Sequence, residues 1–139
     1  MMRVILDTNV LVSALLLAGC VPTRLLDAWF EGSFTLLTSE EQLEELRRVT
    51  RYPRIRAYVD PATAGSLVND LRHFAELVTD LPPVDVSVDP GDNFLLAMAE
   101  AGRADYLVTA DKRGVLALRR HGVTRIVKAR RFLEIIEQP

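Results

Sequence analysis

Arg3-Val4-Ile5-Leu6-Asp7-Thr8-Asn9-Val10-Leu11-Val12 decides the fold. Positions 3–6 are a short, β-branched apolar run that stops at Asp7, and positions 10–18 are apolar over a helix length. A strand therefore feeds a helix, with a carboxylate at the junction. Outward from this unit the alternation repeats. Gly19 to Pro22 punctuates, and Leu25, Leu26, Trp29 and Phe30 then fall at helical spacing up to the turn at Gly32. Positions 34–37 read as a second strand. Ser39 with Gln42 three positions later is a capping-box signature for the next helix, and Pro53 closes that region. Asp60-Pro61 opens a helix that should turn Leu67, Val68, Leu71 and Phe74 inward and fade near Val78. Positions 81–88, with two prolines and alternating Val84, Val86 and Val88, read as loop, with room for an edge strand. Asp89-Pro90 opens a helix through Ala101 that Gly102 should end. Positions 106–108 are a third core strand, 111–118 a short helix, 125–127 a fourth strand and 129–137 a last helix. Such alternation implies right-handed βαβ crossovers and a mainly parallel central sheet with helices on both faces. The expected fold is a three-layer α/β/α domain occupying residues 1–139, without repeat or linker.

At 139 residues and 49% hydrophobic content, one domain can bury roughly two thirds of the surface of its unfolded chain. The charged fraction is 26% with the signs mixed, which excludes wholesale disorder. The net charge of −2 neither requires nor forbids a polyanionic partner, because placement of positive charge matters more than its total. Basic residues are concentrated in two places: Arg47, Arg48, Arg51, Arg54 and Arg56, and the C-terminal Lys112, Arg113, Arg119, Arg120, Arg125, Lys128, Arg130 and Arg131. Of the 17 basic residues only Lys112 and Lys128 are lysines, and the planar arginine fork suits phosphate. Solvated helix faces are the plainer reading of both clusters. The lone Cys20 allows no internal disulfide, and His73 and His121 offer no zinc spacing; a reducing, cytoplasmic setting fits. Leu17-Ala18-Gly19-Cys20 resembles a lipoprotein processing box, but Asp7 and Asn9 break the apolar leader, and cleavage would remove the first strand. No run approaches the roughly 18 to 20 apolar residues that cross a bilayer.

In open parallel sheets, sites form beyond the carboxyl ends of the strands. Asp7 ends the first strand, the Ser39 helix carrying Glu45 follows the second, and Asp111 comes just after the third. Asp92 lies in the first turn of the helix entering that third strand. Among Glu40, Glu41, Glu44 and Glu45, Glu45 lies closest to the edge of the apolar stripe Leu43, Leu46 and Val49, with Glu40 next. Each carboxylate also has a plainer role. Asp7 or Asp111 can cap the helix behind it, Asp89 and Asp92 can be a cap and a dipole partner, and Glu45 can pair with Arg48 or Arg51. Asp60 is such a cap without chemistry.

Four segments together carry a family resemblance: Val4-Ile5-Leu6-Asp7-Thr8-Asn9-Val10-Leu11, Thr38-Ser39-Glu40-Glu41-Gln42-Leu43-Glu44-Glu45-Leu46, Asp89-Pro90-Gly91-Asp92-Asn93-Phe94-Leu95-Leu96-Ala97 and Ala104-Asp105-Tyr106-Leu107-Val108-Thr109-Ala110-Asp111-Lys112. In this order, over nearly the whole chain, they resemble the PIN domains found as toxin components of toxin–antitoxin pairs. The resemblance implies an acidic set of Asp7, Glu45, Asp92 and Asp111, supported by Asn9, Ser39 and Thr109. Asn93 stands where related sequences often carry an acid, which bears on whether a second metal is held.

Clustered carboxylates repel one another until a divalent cation neutralises them, and oxygen-only ligands favour Mg²⁺ or Mn²⁺ over Zn²⁺. The expected activity is cleavage of RNA phosphodiester bonds by metal-activated water, without a protein nucleophile. Asp7, Asp92 and Asp111 are expected to hold the metal, and Glu45 to hold it or orient the water. The resemblance further implies an antitoxin partner and a homodimer, for which Leu25, Leu26, Trp29 and Phe30 or Leu67, Leu71 and Phe74 offer apolar faces. Alternatives within the family are an inactive partner-binding domain and an RNA-processing nuclease outside toxin–antitoxin systems. A phospho-acceptor domain would need adjacent N-terminal acids, and an Asp-nucleophile phosphatase a second acid where Asn9 stands.

Overall fold

The side chains of Val4, Ile5 and Leu6 carry nothing that water can hydrogen-bond, and the chain buries all three in the middle of its sheet. In the computed structural model, which describes residues 1–87, 89–110 and 115–138, Arg3–Leu6 forms β1. There follow α1 (Thr8–Leu16), α2 (Val21–Phe30), β2 (Thr35–Thr38), α3 (Glu40–Thr50), the one-turn α4 (Pro53–Arg56), α5 (Pro61–Phe74) and β3 (Glu76–Leu77). A 3-10 turn (Pro90–Asp92) then leads into α6 (Asn93–Gly102), β4 (Tyr106–Thr109), a second 3-10 turn (Val115–Leu118), β5 (Arg120–His121), β6 (Thr124–Lys128) and α7 (Ala129–Glu137).

The strand order is β3-β2-β1-β4-β6-β5, parallel throughout except for the antiparallel β5–β6 pair. Successive strand residues point to opposite faces. Val4, Leu6, Leu36 and Val108 pack with Leu11, Leu25, Leu43, Leu67 and Phe132 of α1, α2, α3, α5 and α7. Ile5, Leu37, Leu107 and Ile126 pack with Leu95, Leu96 and Met98 of α6. The expected three-layer α/β/α arrangement with a mainly parallel sheet is the one found. The chain steps outward from β1 to β2 and β3, then returns to place β4 on the other side of β1. That reversal opens a crevice at the carboxyl ends of β1 and β4.

Several local expectations are corrected. Pro53 does not close the α3 region; it opens α4 at its first position, where the missing N–H costs nothing. Residues 81–87 are loop, as expected, but without an edge strand, and Val88 lies outside the described residues; Pro82 and Pro83 supply no ladder donor, and the edge strand is β3, continued by Val78 N–H donating to the Thr38 carbonyl. The helix expected at 89–101 starts as a 3-10 turn. Of the helix expected at 111–118, residues 115–118 are a single 3-10 turn and 111–114 lie outside the described residues. The short β5 has no counterpart among the expected strands. Leu25, Leu26, Trp29, Leu67 and Leu71 are core side chains, whereas Phe30 and Phe74 are 53% and 70% exposed, so the two expected interface stripes reduce to those two rings. Both rings border one groove, with Trp29 and Phe34 beside them. Among the described residues no single helix is long and apolar enough to cross a membrane.

Gly102 does not end α6 by adopting a left-handed conformation; Arg103 does, at φ 52°, while Gly102 stays helical. Glycine is required at 102 by crowding, since a Cβ there would lie 2.8 Å from Leu37 Cδ1 and 2.9 Å from Val78 Cγ2. The two positions should therefore respond with opposite sign. Gly102→Ala overpacks the α6–sheet contact and is expected to cost about 1–3 kcal/mol. Arg103→Gly relieves the left-handed strain and is expected to gain up to about 1 kcal/mol. Urea denaturation of the two variants tests this; a loss of stability in Arg103→Gly would return the terminating role to Gly102.

Candidate active site

Asp7 follows β1 at the crevice and is 5% exposed. Its backbone N–H donates to the Val108 carbonyl of β4 (2.8 Å), continuing the ladder by one residue and fixing where the side chain starts. The Thr109 hydroxyl, fully buried at the end of β4, donates to Asp7 Oδ2 (2.7 Å). Asn9 N–H makes a long bond to Asp7 Oδ1 (3.4 Å), so Asp7 also serves as N-cap of α1. A carboxylate held across a strand reversal, largely out of water, is a costly place for a charge that does nothing else.

Glu45 reaches the same place from α3. Thr8 Oγ1 donates to Glu45 Oε2 (2.8 Å), joining α3 to the first residue of α1. The competing candidate, Glu40, is engaged instead by both guanidinium nitrogens of Arg72 on α5. Burial pushes the Glu45 carboxyl above the ordinary glutamate range. The Thr8 hydrogen bond opposes this rise, Asp7 adds to it, Arg48 at 4.0 Å opposes it, and Asp89 adds to it. Glu45 therefore senses the charge of acids from two other segments, Asp7 and Asp89.

The α6 entry supplies the next carboxylates. Gly91 N–H donates to Asp89 Oδ1 (2.9 Å), so Asp89 caps the 3-10 turn that Asp92 ends. Asn93 Oδ1 accepts from Ser87 N–H (2.9 Å) and Val86 N–H (3.3 Å), which spends this side chain on fastening the preceding loop. Asp111 lies outside the described residues.

The supporting residues divide. Thr109 holds Asp7 directly. Asn9 is exposed and contributes its backbone N–H. Ser39 is fully buried: it accepts from Gln42 N–H (3.2 Å) as N-cap of α3 and donates to Met98 Sδ (3.1 Å), so it serves the packing of α3 on α6. Sequence reasoning passed over Thr8, whose place in Asp7-Thr8-Asn9 was the available signal. It also missed the second use of Gln42. That side chain, 1% exposed, does not close the capping box; Nε2 donates to the Leu6 carbonyl (2.7 Å) and Oε1 accepts from the Thr38 hydroxyl (2.8 Å). Gln42 thus pins the residue before Asp7 to β2 and to the helix that carries Glu45.

The donors gathered here are carboxylate and hydroxyl oxygens, the chemistry that hard divalent cations take. The soft or nitrogen ligands are placed elsewhere: Cys20 Sγ lies against Thr23 between α1 and α2, and His121 Nε2 contacts Glu100. Among the described residues no three acidic, His or Cys groups lie close enough to form a metal-holding cluster.

A family model described as PIN domain matches residues 3–113. An uncharacterized protein of Methanocaldococcus jannaschii, MJ1680, is 28% identical over 113 residues, which span 79% of this chain and 71% of that protein. VapBC2 from Rickettsia felis, solved bound to a DNA fragment from their promoter, contains a chain that superposes with a TM-score of 0.60 at 16% identity, over 91% of this chain and 98% of that one. At such identity the likeness is one of fold.

Proposed function

The chain belongs to the PIN-domain family, and from that premise we propose that it is a Mg²⁺- or Mn²⁺-dependent endoribonuclease, the toxin of a type II toxin–antitoxin pair. The observation that carries the reading is Asp7 held by Thr109 at the β1–β4 reversal with Glu45 brought to it through Thr8. Residues 1–139 act in it as one catalytic unit.

Asp7, Glu45, Asp92 and Asp111 are the residues that would hold the cation. Once bound, it supplies positive charge for the scissile phosphate and lowers the pKa of the attacking water. Thr109 fixes one oxygen of Asp7 so that its orientation does not have to be found anew in each cycle. Glu45, anchored at Oε2 by Thr8, would use Oε1 to hold the cation or to orient the water that attacks phosphorus. An antitoxin partner is supported by the fold likeness to a chain of a VapBC complex, and the exposed Phe30 and Phe74, which border one groove, are what the two expected stripes offer for a homodimer contact. A cytoplasmic setting accords with the free Cys20.

Wild type is expected to cut a fluorescent RNA in Mn²⁺ and to stop in EDTA; RNA left whole under both conditions would reject the activity. A second expectation concerns Glu45→Gln. A raised carboxyl pKa means that the folded state is penalised once pH has risen past the usual glutamate value, so removing this charge should raise the unfolding midpoint in EDTA at neutral pH. Mn²⁺ should then stabilise wild type more than the variant. Equal Mn²⁺ shifts in both proteins would remove Glu45 from the ligand set.

A further inference from the structure

We propose that the groove between α3, α4 and α5 is a phosphodiester subsite that carries single-stranded RNA away from the acidic crevice. This rests on the reading of the chain as an RNA nuclease. The groove, about 250 Å³, is lined by Arg47, Arg51, Arg56, Gly65 and Asn69 among others. Arg47 and Arg51 also line an adjoining groove with Glu44, Arg48 and Tyr52, so the two grooves share a ridge. Positions 44, 47, 48 and 51 fall on one helical face. Among the described residues Arg47, Arg51, Arg54 and Arg56 make no ion pair, while Arg3, Arg24, Arg72 and Arg131 each have one. Three of these exposed guanidinium groups, Arg47, Arg51 and Arg56, line one concave surface and repel one another until an anion joins them.

Its position beside the crevice favours a nucleic-acid strand among anions, and the nuclease reading makes that strand RNA. The basic band begins at Arg48, 4.0 Å from Glu45, and runs down the same helix. Six residues separate Glu45 from Arg51, roughly 9 Å of helical rise, well inside the roughly 4 to 16 nucleotides that single-strand sites cover. Arginine forks grip phosphate oxygens in pairs, and Tyr52, 41% exposed beside Arg51, offers a face on which a base can stack. A strand cut at the crevice must leave it in some direction, and this is the direction in which positive charge continues.

Gly65 permits a test that leaves the arginines untouched. A Cβ built there meets nothing within 4 Å, and glutamate is a better helix former than glycine, so Gly65→Glu places a negative charge in the groove without unfolding α5. Binding of a fluorescent single-stranded RNA of about 12 nucleotides is measured by anisotropy in EDTA over a range of salt. Arg51→Ala with Arg56→Ala should weaken binding about tenfold at low salt and flatten the plot of log affinity against log salt by about 0.7 for each phosphate left without its arginine. Gly65→Glu should weaken binding comparably with an unfolding midpoint no lower than wild type. Unchanged affinity and slope in the double variant, or unchanged affinity in Gly65→Glu, overturns the proposal. So does displacement of the RNA by inorganic phosphate at matched ionic strength, which would make the groove a free-anion site. Arginine-dependent binding of poly-glutamate that equals that of RNA would assign it to an acidic protein segment instead. Because binding is read without metal, a protein that cuts RNA but lacks arginine-dependent binding loses the groove alone. One that binds through the groove but never cuts loses the nuclease reading alone.

Discussion

Asp7→Asn is expected to lower Mn²⁺-dependent RNA cleavage by more than about a hundredfold while the protein stays folded. Asparagine keeps the size of the side chain and one acceptor oxygen, and the Thr109 hydroxyl can rotate to accept from the new amide, so the hydrogen bond across the β1–β4 crevice survives. What is lost is a full negative charge in a largely buried position, where it would hold the cation. In the metal-free state the same change removes a charge that pushes Glu45 up, so the midpoint in EDTA should hold or rise. Asp92→Asn should show the same loss of cleavage. Asp60→Asn is the control: Asp60 accepts from Ala62 N–H (2.9 Å) at the exposed start of α5, and asparagine caps as well as aspartate. Full cleavage by Asp7→Asn would reduce Asp7 to the cap of α1.

Gln42→Leu should destabilise the fold more than any of the substitutions above. Leucine fills nearly the same volume but leaves the Leu6 carbonyl and the Thr38 hydroxyl buried without the partner that each has in Gln42. Each orphaned group costs about 1–3 kcal/mol, which puts the unfolding midpoint lower by on the order of 10 °C. Thermal denaturation followed by circular dichroism measures it. A drop within about 0.5 kcal/mol, the range of ordinary surface substitutions, would mean that water takes over both bonds and that the clamp is dispensable.

The central strands were readable because their burial on both faces leaves a compositional trace: Val4 to Leu6 and Tyr106 to Val108 are apolar without interruption. The edge strands β3 and β5 left none, since Glu76, Leu77, Arg120 and His121 lie where only one neighbour and little burial act on them. Gly102 was misread because a glycine near a helix end has two explanations, backbone freedom and crowding, and only the packing around it separates them. In the crevice, position after a strand pointed to Asp7, and helical phase favoured Glu45 over Glu40; the Arg72 contact shows what occupies the latter. The hydroxyl and amide partners were hidden. Thr8, Ser39 and Gln42 are common helix-start residues, and nothing in the local sequence tells which of them turns toward a helix end and which toward a strand 36 positions away.

Both rims of the sheet finish in strands of two residues, β3 and β5. A foreign peptide that tried to lengthen the sheet would find too few backbone groups to fix a register. Recognition by strand addition is thereby shut out at both margins. Whatever assembles with this protein has to grip helices and grooves, and crowded copies have little bare backbone through which to seed one another into fibrils.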